Sequence, residues 1–380
     1  MKDVFVVADN ILSPLGNTTA ENFTQLKKNI SGIKLHDNAT ISETPFYAAL
    51  LENNEWYTKD DNNNFTKFEQ LLAASIENVL QNCSVDARDK DTLLIVSSTK
   101  GNIGLLETEV KSAELKERIA LYTSAKLVAD HFHFINRPVV VSNACISGLL
   151  GILTGMRLIR SGQYKNVVVA GADVVSKFIL SGFQSFQATS PQQCKPFDKD
   201  RDGINLGEGA ATIVLSSEAR YAGAIKVAGG GTSNDANHIS GPSRTGEELY
   251  GAIKNTLKEA GLSPSEIDLI SAHGTATIYN DEMEAKAISL AGMLSVPVNS
   301  LKGYFGHTLG AAGLIESIVT LQSMRENIIL PTLGFQHHGV SEPINVCSNL
   351  QVSDLNNCLK TASGFGGCNG TVLFSKTSTN

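Results

Sequence analysis

No apolar run in the chain approaches the roughly 18–20 residues needed to cross a bilayer. The start, Met1-Lys-Asp-Val-Phe-Val-Val-Ala-Asp-Asn10, reads as a strand and lacks the long apolar segment of a secretory signal. A cytoplasmic protein is expected. Positive charge is also in deficit: 31 Lys+Arg against 38 Asp+Glu give a formal net charge of -7. General nucleic-acid affinity, which needs clustered positive charge, is excluded. The six cysteines (Cys83, Cys145, Cys194, Cys347, Cys358, Cys368) form no Cys-x-x-Cys pair, so neither a zinc site nor a disulfide framework is suggested. Asp198-Lys-Asp-Arg-Asp-Gly203 imitates the start of a calcium loop, but its twelfth position is Gly209. Glu208 falls one place short of the bidentate glutamate such a loop requires. These charges are expected to pin a loop, and no metal is expected.

What is present is material for a large core: 42% hydrophobic and 18% charged residues over 380 positions. That length implies two domains or one large duplicated domain. A strand near the start is followed by a polar, Asn-rich stretch, 17–64, expected to be irregular surface. A helix is predicted over Phe65–Gln81, a buried strand over Asp91–Ser98, and a helix over Ile119–His131. The apolar runs Pro138–Val141 and Asn166–Asp173 read as buried strands around a helix that starts after Cys145. Such alternation predicts a parallel sheet covered on both faces. A second half is expected to begin near Gly223, with a strand over Ala224–Gly231 and a helix over Glu247–Ala260. A strand over Ile267–Ala272 and helices over Asp281–Ala291 and Leu309–Met324 follow. Two strands around Cys358–Ser363 and Thr371–Lys376 close the chain, joined by a Gly-rich turn. The repeated alternation suggests an internal duplication.

Cys145 lies in Pro138-Val-Val-Val-Ser-Asn-Ala-Cys-Ile-Ser-Gly148, where a strand breaks into a helix. Free backbone N–H groups and the helix dipole at that corner favour thiolate over thiol. A buried structural cysteine fits the position equally well. His273 ends a strand in Ser271-Ala-His-Gly-Thr-Ala-Thr277. His307 lies just before a helix in Lys302-Gly-Tyr-Phe-Gly-His-Thr-Leu-Gly-Ala-Ala-Gly313, where the dipole favours a neutral imidazole able to donate an N–H hydrogen bond. Lys302 and Glu316 flank it; a buried pair and two solvated side chains are both compatible with the spacing. Gly364-Phe-Gly-Gly-Cys-Asn-Gly370 is a tight turn whose N–H groups suit either an anion pocket or a plain hairpin.

Together these segments resemble the β-ketoacyl-acyl-carrier-protein synthases of the thiolase superfamily. The resemblance rests on Asn143-Ala-Cys-Ile-Ser-Gly148, Pro196–Gly203 with Gly207-Glu-Gly209, His273-Gly-Thr-Ala-Thr277, Lys302–His307 and Gly364-Phe-Gly-Gly367, and covers essentially the whole chain. It implies a five-layered α-β-α-β-α fold of two similar halves, 1–222 carrying Cys145 and 223–380 carrying His273, Lys302, His307 and the Gly-Phe-Gly-Gly turn. It further implies acyl carrier protein as partner, usually a homodimer, and no metal or redox cofactor. By the same resemblance, Cys145 takes the acyl chain as a thioester. His273 and His307 bind the malonyl thioester carbonyl and promote loss of carbon dioxide, and the carbanion extends the chain by two carbons. Two neutral N–H donors suit an enolate oxygen. The backbone N–H groups of Cys145 and Phe365 would form an oxyanion hole. Lys302 matches the family's active-site lysine, with Glu316 its partner, Thr275 and Thr277 match the hydroxyls that hold the phosphopantetheine arm, and Phe365 matches a gating aromatic.

Paired histidines set the chain apart from thiolases and coenzyme-A-using initiating synthases, and Cys145 from chain-length-factor subunits. Ile278 stands where proline usually follows the His-Gly-Thr-x-Thr motif, and Cys368 where threonine follows Gly-Phe-Gly-Gly. Ser97–Gly104, with Lys100, Asn102 and Ile103, replaces a Gly-rich stretch lining the acyl pocket. These departures point toward secondary pathways, aryl polyenes and related pigment lipids among them. Two rival readings are a partner subunit shaping a heterodimer's acyl pocket and a Cys-His hydrolase.

Overall fold

The computed structural model describes residues 2–52, 65–221, 225–237 and 241–377. The expected half boundary near Gly223 and the 53–64 part of the Asn-rich stretch lie outside the described residues. Five strands of the first half are β1 (Phe5–Leu12), β2 (Thr92–Ser97), β3 (Val139–Val141), β4 (Asn166–Asp173) and β5 (Gly209–Ser216). The second half supplies β6 (Lys226–Asn234), β7 (Leu269–Ser271), β8 (Pro297–Asn299), the two-residue β9 (Asn345–Val346), β10 (Asn357–Gly364) and β11 (Cys368–Ser375).

One connectivity occurs twice. In the first half β2 lies between β3 and β4, parallel to both; β5 runs antiparallel to β4, and β1 antiparallel to β5. In the second, β7 lies between β8 and β10, parallel to both; β11 runs antiparallel to β10, and β6 antiparallel to β11. The two sets meet where Phe5 of β1 faces Lys226 of β6, and β9 extends the far edge beside β8. The duplication that the alternation suggested is thus visible in the topology. The sheets are mixed rather than parallel. β11 returns from β10 through a hairpin, and a hairpin connection permits only antiparallel pairing.

Helices α1 (Thr19–Lys27), α2 (Lys67–Gln81) and α3 (Leu121–His131) precede α4 (Ser147–Arg160), α5 (Lys177–Ser185), α6 (Glu247–Ala260), α7 (Ile278–Leu290) and α8 (Ala312–Glu326). α2 covers one face of the first sheet and α6 one face of the second, while α4 and α8 pack against both sheets from between them. The layers therefore run α-β-α-β-α. Being covered on every side, α8 buries Glu316, Ser317 and Thr320 as well as its apolar residues, and has no polar face.

α4 and α8 approach closely because their contact is lined by glycine. A Cβ on Gly148 would lie 2.8 Å from the Gly310 carbonyl oxygen and 2.9 Å from the Leu314 nitrogen. Gly148→Ala should therefore cost about 1–3 kcal/mol by overpacking, read as a lower urea midpoint at unchanged slope. An unchanged midpoint would show that the two helices can part without penalty.

Two expectations are corrected. The Asn-rich stretch is not irregular throughout: Thr18 and Glu21 form a capping box that starts α1, and Lys34–His36 pairs with Phe46–Ala49. The glycines of Gly207-Glu-Gly-Ala210 suggest a turn, but Gly209 and Ala210 open β5, an unbroken buried strand. α5 was not anticipated.

Candidate active site

Cys145 sits four residues beyond the end of β3 and just before α4. Ala144 takes φ 44°, a left-handed conformation that turns the chain sharply before the helix. Ser147 locks the corner: its Oγ accepts from the Asn143 N–H at 2.8 Å and donates to the Ala144 carbonyl at 2.7 Å. The β10–β11 hairpin presses against the same corner. A Cβ on Gly364 would lie 3.0 Å from the Cys145 nitrogen and 2.9 Å from the Cys368 Sγ, so glycine is required there.

The thiolate expected from the helix start is not favoured. Burial pushes the Cys145 thiol up to about 12, and the neighbouring Cys368 adds to the rise; Lys302 and a hydrogen bond from the Phe365 backbone pull the other way without compensating. Resting Cys145 is a thiol, and its proton must leave as substrate arrives. Its alkylation rate should accordingly keep rising about tenfold per pH unit from pH 7 to 10. Iodoacetamide kinetics followed by mass spectrometry check this, and a plateau near pH 8.5 would show an exposed, ordinary thiol.

His273 follows β7, and two buried carboxylates hold its loop. Glu284 accepts from the backbone N–H groups of His273 at 2.8 Å and Gly274 at 2.6 Å; Asp281 accepts from that of Thr275 at 2.8 Å. His307 is anchored through its own backbone N–H, donated to the Asn205 carbonyl at 2.7 Å. The two rings lie edge-on with centroids 5.2 Å apart, and the ligand atoms of Cys145, His273 and His307 all fall within 4.8 Å of one another. Both imidazoles are held well below their ordinary value, by burial first and then by Lys302, with Lys360 adding to the effect. The neutral state expected of His307 is met, but burial and lysine charge drive it, where a helix dipole was anticipated.

Lys302 is fully buried. It pairs with Glu316, donates to the His273 carbonyl at 3.0 Å, and places Nζ 3.5 Å from His273 Nδ1. An ammonium at Nδ1 makes that nitrogen the acceptor and leaves the ring proton on Nε2. Glu316 also pairs with Lys360, at 2.8 Å. Sequence reasoning missed Lys360, Glu284 and Asp281. The available signal was a lysine in mid-strand at Asn357-Cys-Leu-Lys-Thr-Ala-Ser-Gly364, where neighbours on both sides are buried.

A cavity of about 430 Å³ opens over these groups, lined by Cys145, His273, His307, Thr275, Thr277, Phe365 and, among others, Phe183 and Phe186. Thr275 and Thr277 bond each other through their hydroxyls at 2.8 Å. Phe365 stacks on Phe183 at 5.6 Å and meets Phe186 edge-on at 5.5 Å, so three aromatic rings line the same cavity as the cysteine. Asn102 and Ile103, expected to line the pocket, do not. Buried Asn102 spends its amide on Glu69, Ser124 and Thr66. Ile103 packs into a small apolar cluster with Val175, Ile179 and Phe183, behind the wall. Asp198 accepts from the backbone N–H groups of Gln336 and His337, both at 2.7 Å, as a loop-pinning carboxylate does. The Cys-His-His set has donors that a zinc ion uses, yet the Lys302 ammonium 3.5 Å from His273 Nδ1 opposes a cation there.

Residues 1–220 match the β-ketoacyl synthase N-terminal domain, and residues 224–336 the β-ketoacyl synthase C-terminal domain. The chain belongs to the β-ketoacyl synthase family. It is a condensing enzyme of the acyltransferase class on a thiolase-like fold. The 3-oxoacyl-[acyl-carrier-protein] synthase 2 of Vibrio cholerae is 29% identical over 98% of this chain and 99% of its own length. The synthase 2 of Rhizobium meliloti is 36% identical over 61% of the chain and 59% of that protein. Among solved structures, the ishigamide ketosynthase/chain length factor superposes with a TM-score of 0.91 at 26% identity, covering 99% of this chain and 100% of that one. A chain of the Xenorhabdus doucetiae complex of a ketosynthase (ApeO) with its chain length factor (ApeC) shares the fold at a TM-score of 0.88 and 24% identity, over 99% of this chain and 98% of that one. No helix among the described residues is long and apolar enough to cross a membrane.

Proposed function

We propose that this synthase carries out decarboxylative Claisen condensation between a Cys145-bound acyl chain and malonyl-acyl carrier protein, giving 3-oxoacyl-acyl carrier protein. The observation that carries the reading is one buried nucleophile within 4.8 Å of two imidazoles, both held neutral. In the first step Cys145 Sγ attacks the acyl-carrier thioester, its proton passes to the departing carrier sulfur, and the carrier thiol leaves. In the second, the malonyl carboxylate departs as carbon dioxide and its bonding pair becomes an enolate, whose oxygen accepts from His273 and His307. The enolate carbon then attacks the Cys145 thioester; its oxyanion accepts from the Cys145 and Phe365 N–H groups, and collapse expels the sulfur, which regains a proton. Lys302 with Glu316 orients His273, Thr275 and Thr277 hold the phosphopantetheine arm, and Phe365 gates the pocket.

The same reading divides the chain into halves 1–222 and 223–380, each contributing one sheet and part of the site. It places the protein in the cytoplasm, which suits six unpaired cysteines. Its pathway would be fatty-acid or polyketide-like synthesis, aryl polyenes included. Among the described residues β3 pairs only with β2 and leaves its other edge open, in keeping with a dimer. A heterodimer, in which the chain works beside or serves as the partner of a related subunit, is the second reading; it is favoured by the chain-length-factor complexes among its structural relatives.

Purified protein mixed with acyl- and malonyl-carrier thioesters should yield an acyl adduct on Cys145 and a β-keto product two carbons longer, by mass spectrometry. Hydrolysis alone would overturn the assignment in favour of a Cys-His hydrolase. Activity only after adding a co-purifying second subunit would support the heterodimer.

A further inference from the structure

Behind the two histidines lies a buried row of three charged side chains, Lys302, Glu316 and Lys360. Lys360 has no exposure at all and sits in the middle of β10. Its Nζ donates to the carbonyls of Ser271 at 3.0 Å and Ala272 at 3.1 Å, the last two residues before His273, and pairs with Glu316 at 2.8 Å. Each of these groups around the ammonium in turn holds either His273 or Lys302. A lysine buried only for stability would be an expensive choice there, since an apolar residue of similar length fills the same space without desolvating a charge.

Within the row one carboxylate, Glu316, is paired with both ammoniums. Lys302 comes from the helix at Lys302–Phe305, Glu316 from α8 and Lys360 from β10. Glu284 of α7 is a second carboxylate that acts on Lys360, and its two oxygens accept from the N–H groups of His273 and Gly274, the Thr361 hydroxyl and Asn280. Asp281 is turned toward Thr275 and Phe197. Toward the cavity the row meets His273, His307 and Cys145, which are uncharged at rest.

We infer that Lys360 is a positioning residue for the decarboxylation step: as a second ammonium on Glu316 it adds positive charge behind His273 and His307, so both rings remain neutral N–H donors. That added charge repels a proton from either imidazole, and the same field favours the enolate that forms in front of them. Lys360 touches no substrate and acts through Glu316, Lys302 and the strand end that carries His273. This inference rests on the condensing role proposed above for the two histidines.

Lys360→Met removes the added charge while Glu316 keeps Lys302 as its partner, so no buried carboxylate is orphaned. The acid limb of malonyl-carrier decarboxylation should move up by roughly one pH unit, and the His273 and His307 midpoints, read by ¹⁵N NMR, should move up with it. Lys360→Gln, which retains a donor for the Ser271 and Ala272 carbonyls without charge, should give the same shift and serves if Lys360→Met does not fold. A slower enzyme with unmoved limb and unmoved midpoints in either folded variant would reduce Lys360 to a structural role and overturn the inference. Failure of the wild-type protein to decarboxylate malonyl carrier would instead strike the condensing role, and the NMR midpoints would still decide the charge effect.

Discussion

Cys145→Ala is expected to lower condensation by more than roughly a thousandfold while malonyl decarboxylation continues. The two activities separate because the two tasks fall on different elements. Cys145 is carried at the start of α4 and supplies the only sulfur in the triad; His273 and His307 come from loops of the second half and are anchored through Glu284, Asn205 and Lys302. Alanine fits the corner without strain, since Ser147 and Gly364 shape the backbone there and neither needs the sulfur. The check is a carrier-bound malonyl thioester offered alone, with acetyl-carrier and β-keto products quantified by mass spectrometry. Loss of decarboxylation together with condensation, in a folded variant, would mean that the sulfur helps place the malonyl group, and the division of labour would fall.

The parts of this site that are legible in the sequence are those where unusual backbone and reactive side chain coincide. Cys145 after a valine run, His273 after Leu269-Ile-Ser271 and Phe365 between glycines all stand at points where regular structure ends, and strand ends are where a fold presents side chains to a cavity. What stayed hidden is the support beneath. Lys360 interrupts β10, yet one lysine in a strand reads equally well as an edge or solvent-facing position; only the pairing of β7 with β10 brings it under His273. Glu284 and Asp281 look like the polar face of α7, and they are buried because that face turns inward to bind loop N–H groups. Asn102 erred in the opposite direction. Its place in Ser97–Gly104, where the resemblance implies a stretch lining the acyl pocket, suggested a pocket wall, but Glu69 and Ser124, both distant in sequence, claim its amide. β5 was missed because its first residues, Gly209 and Ala210, continue a Gly-rich turn. Its pairing with both β1 and β4 overrides that local signal.

His307→Ala should cut malonyl decarboxylation by on the order of 10²–10³, the effect of losing one preorganised oxyanion donor. His307 is the cleaner of the two histidines to remove. Its ring makes an edge contact with Phe183 at 6.4 Å, its Nδ1 has no hydrogen-bond partner among the described residues, and its backbone anchor to Asn205 survives the change. In contrast, His273→Ala would also strip Lys302 of a neighbour at Nδ1. The pH dependence supplies an independent handle. Because burial and the lysines hold both imidazoles well below 6.5, the neutral donors persist as pH falls through 6.5 and are lost only at the lowered value. Wild-type decarboxylation should therefore stay flat from pH 7 to below pH 6 and decline only in more acid solution. His307→Asn, which restores an N–H donor that cannot be protonated in this range, should recover part of the rate. Full decarboxylation in His307→Ala would remove that ring from the enolate site, leaving His273 with Lys302 behind it to carry the step alone.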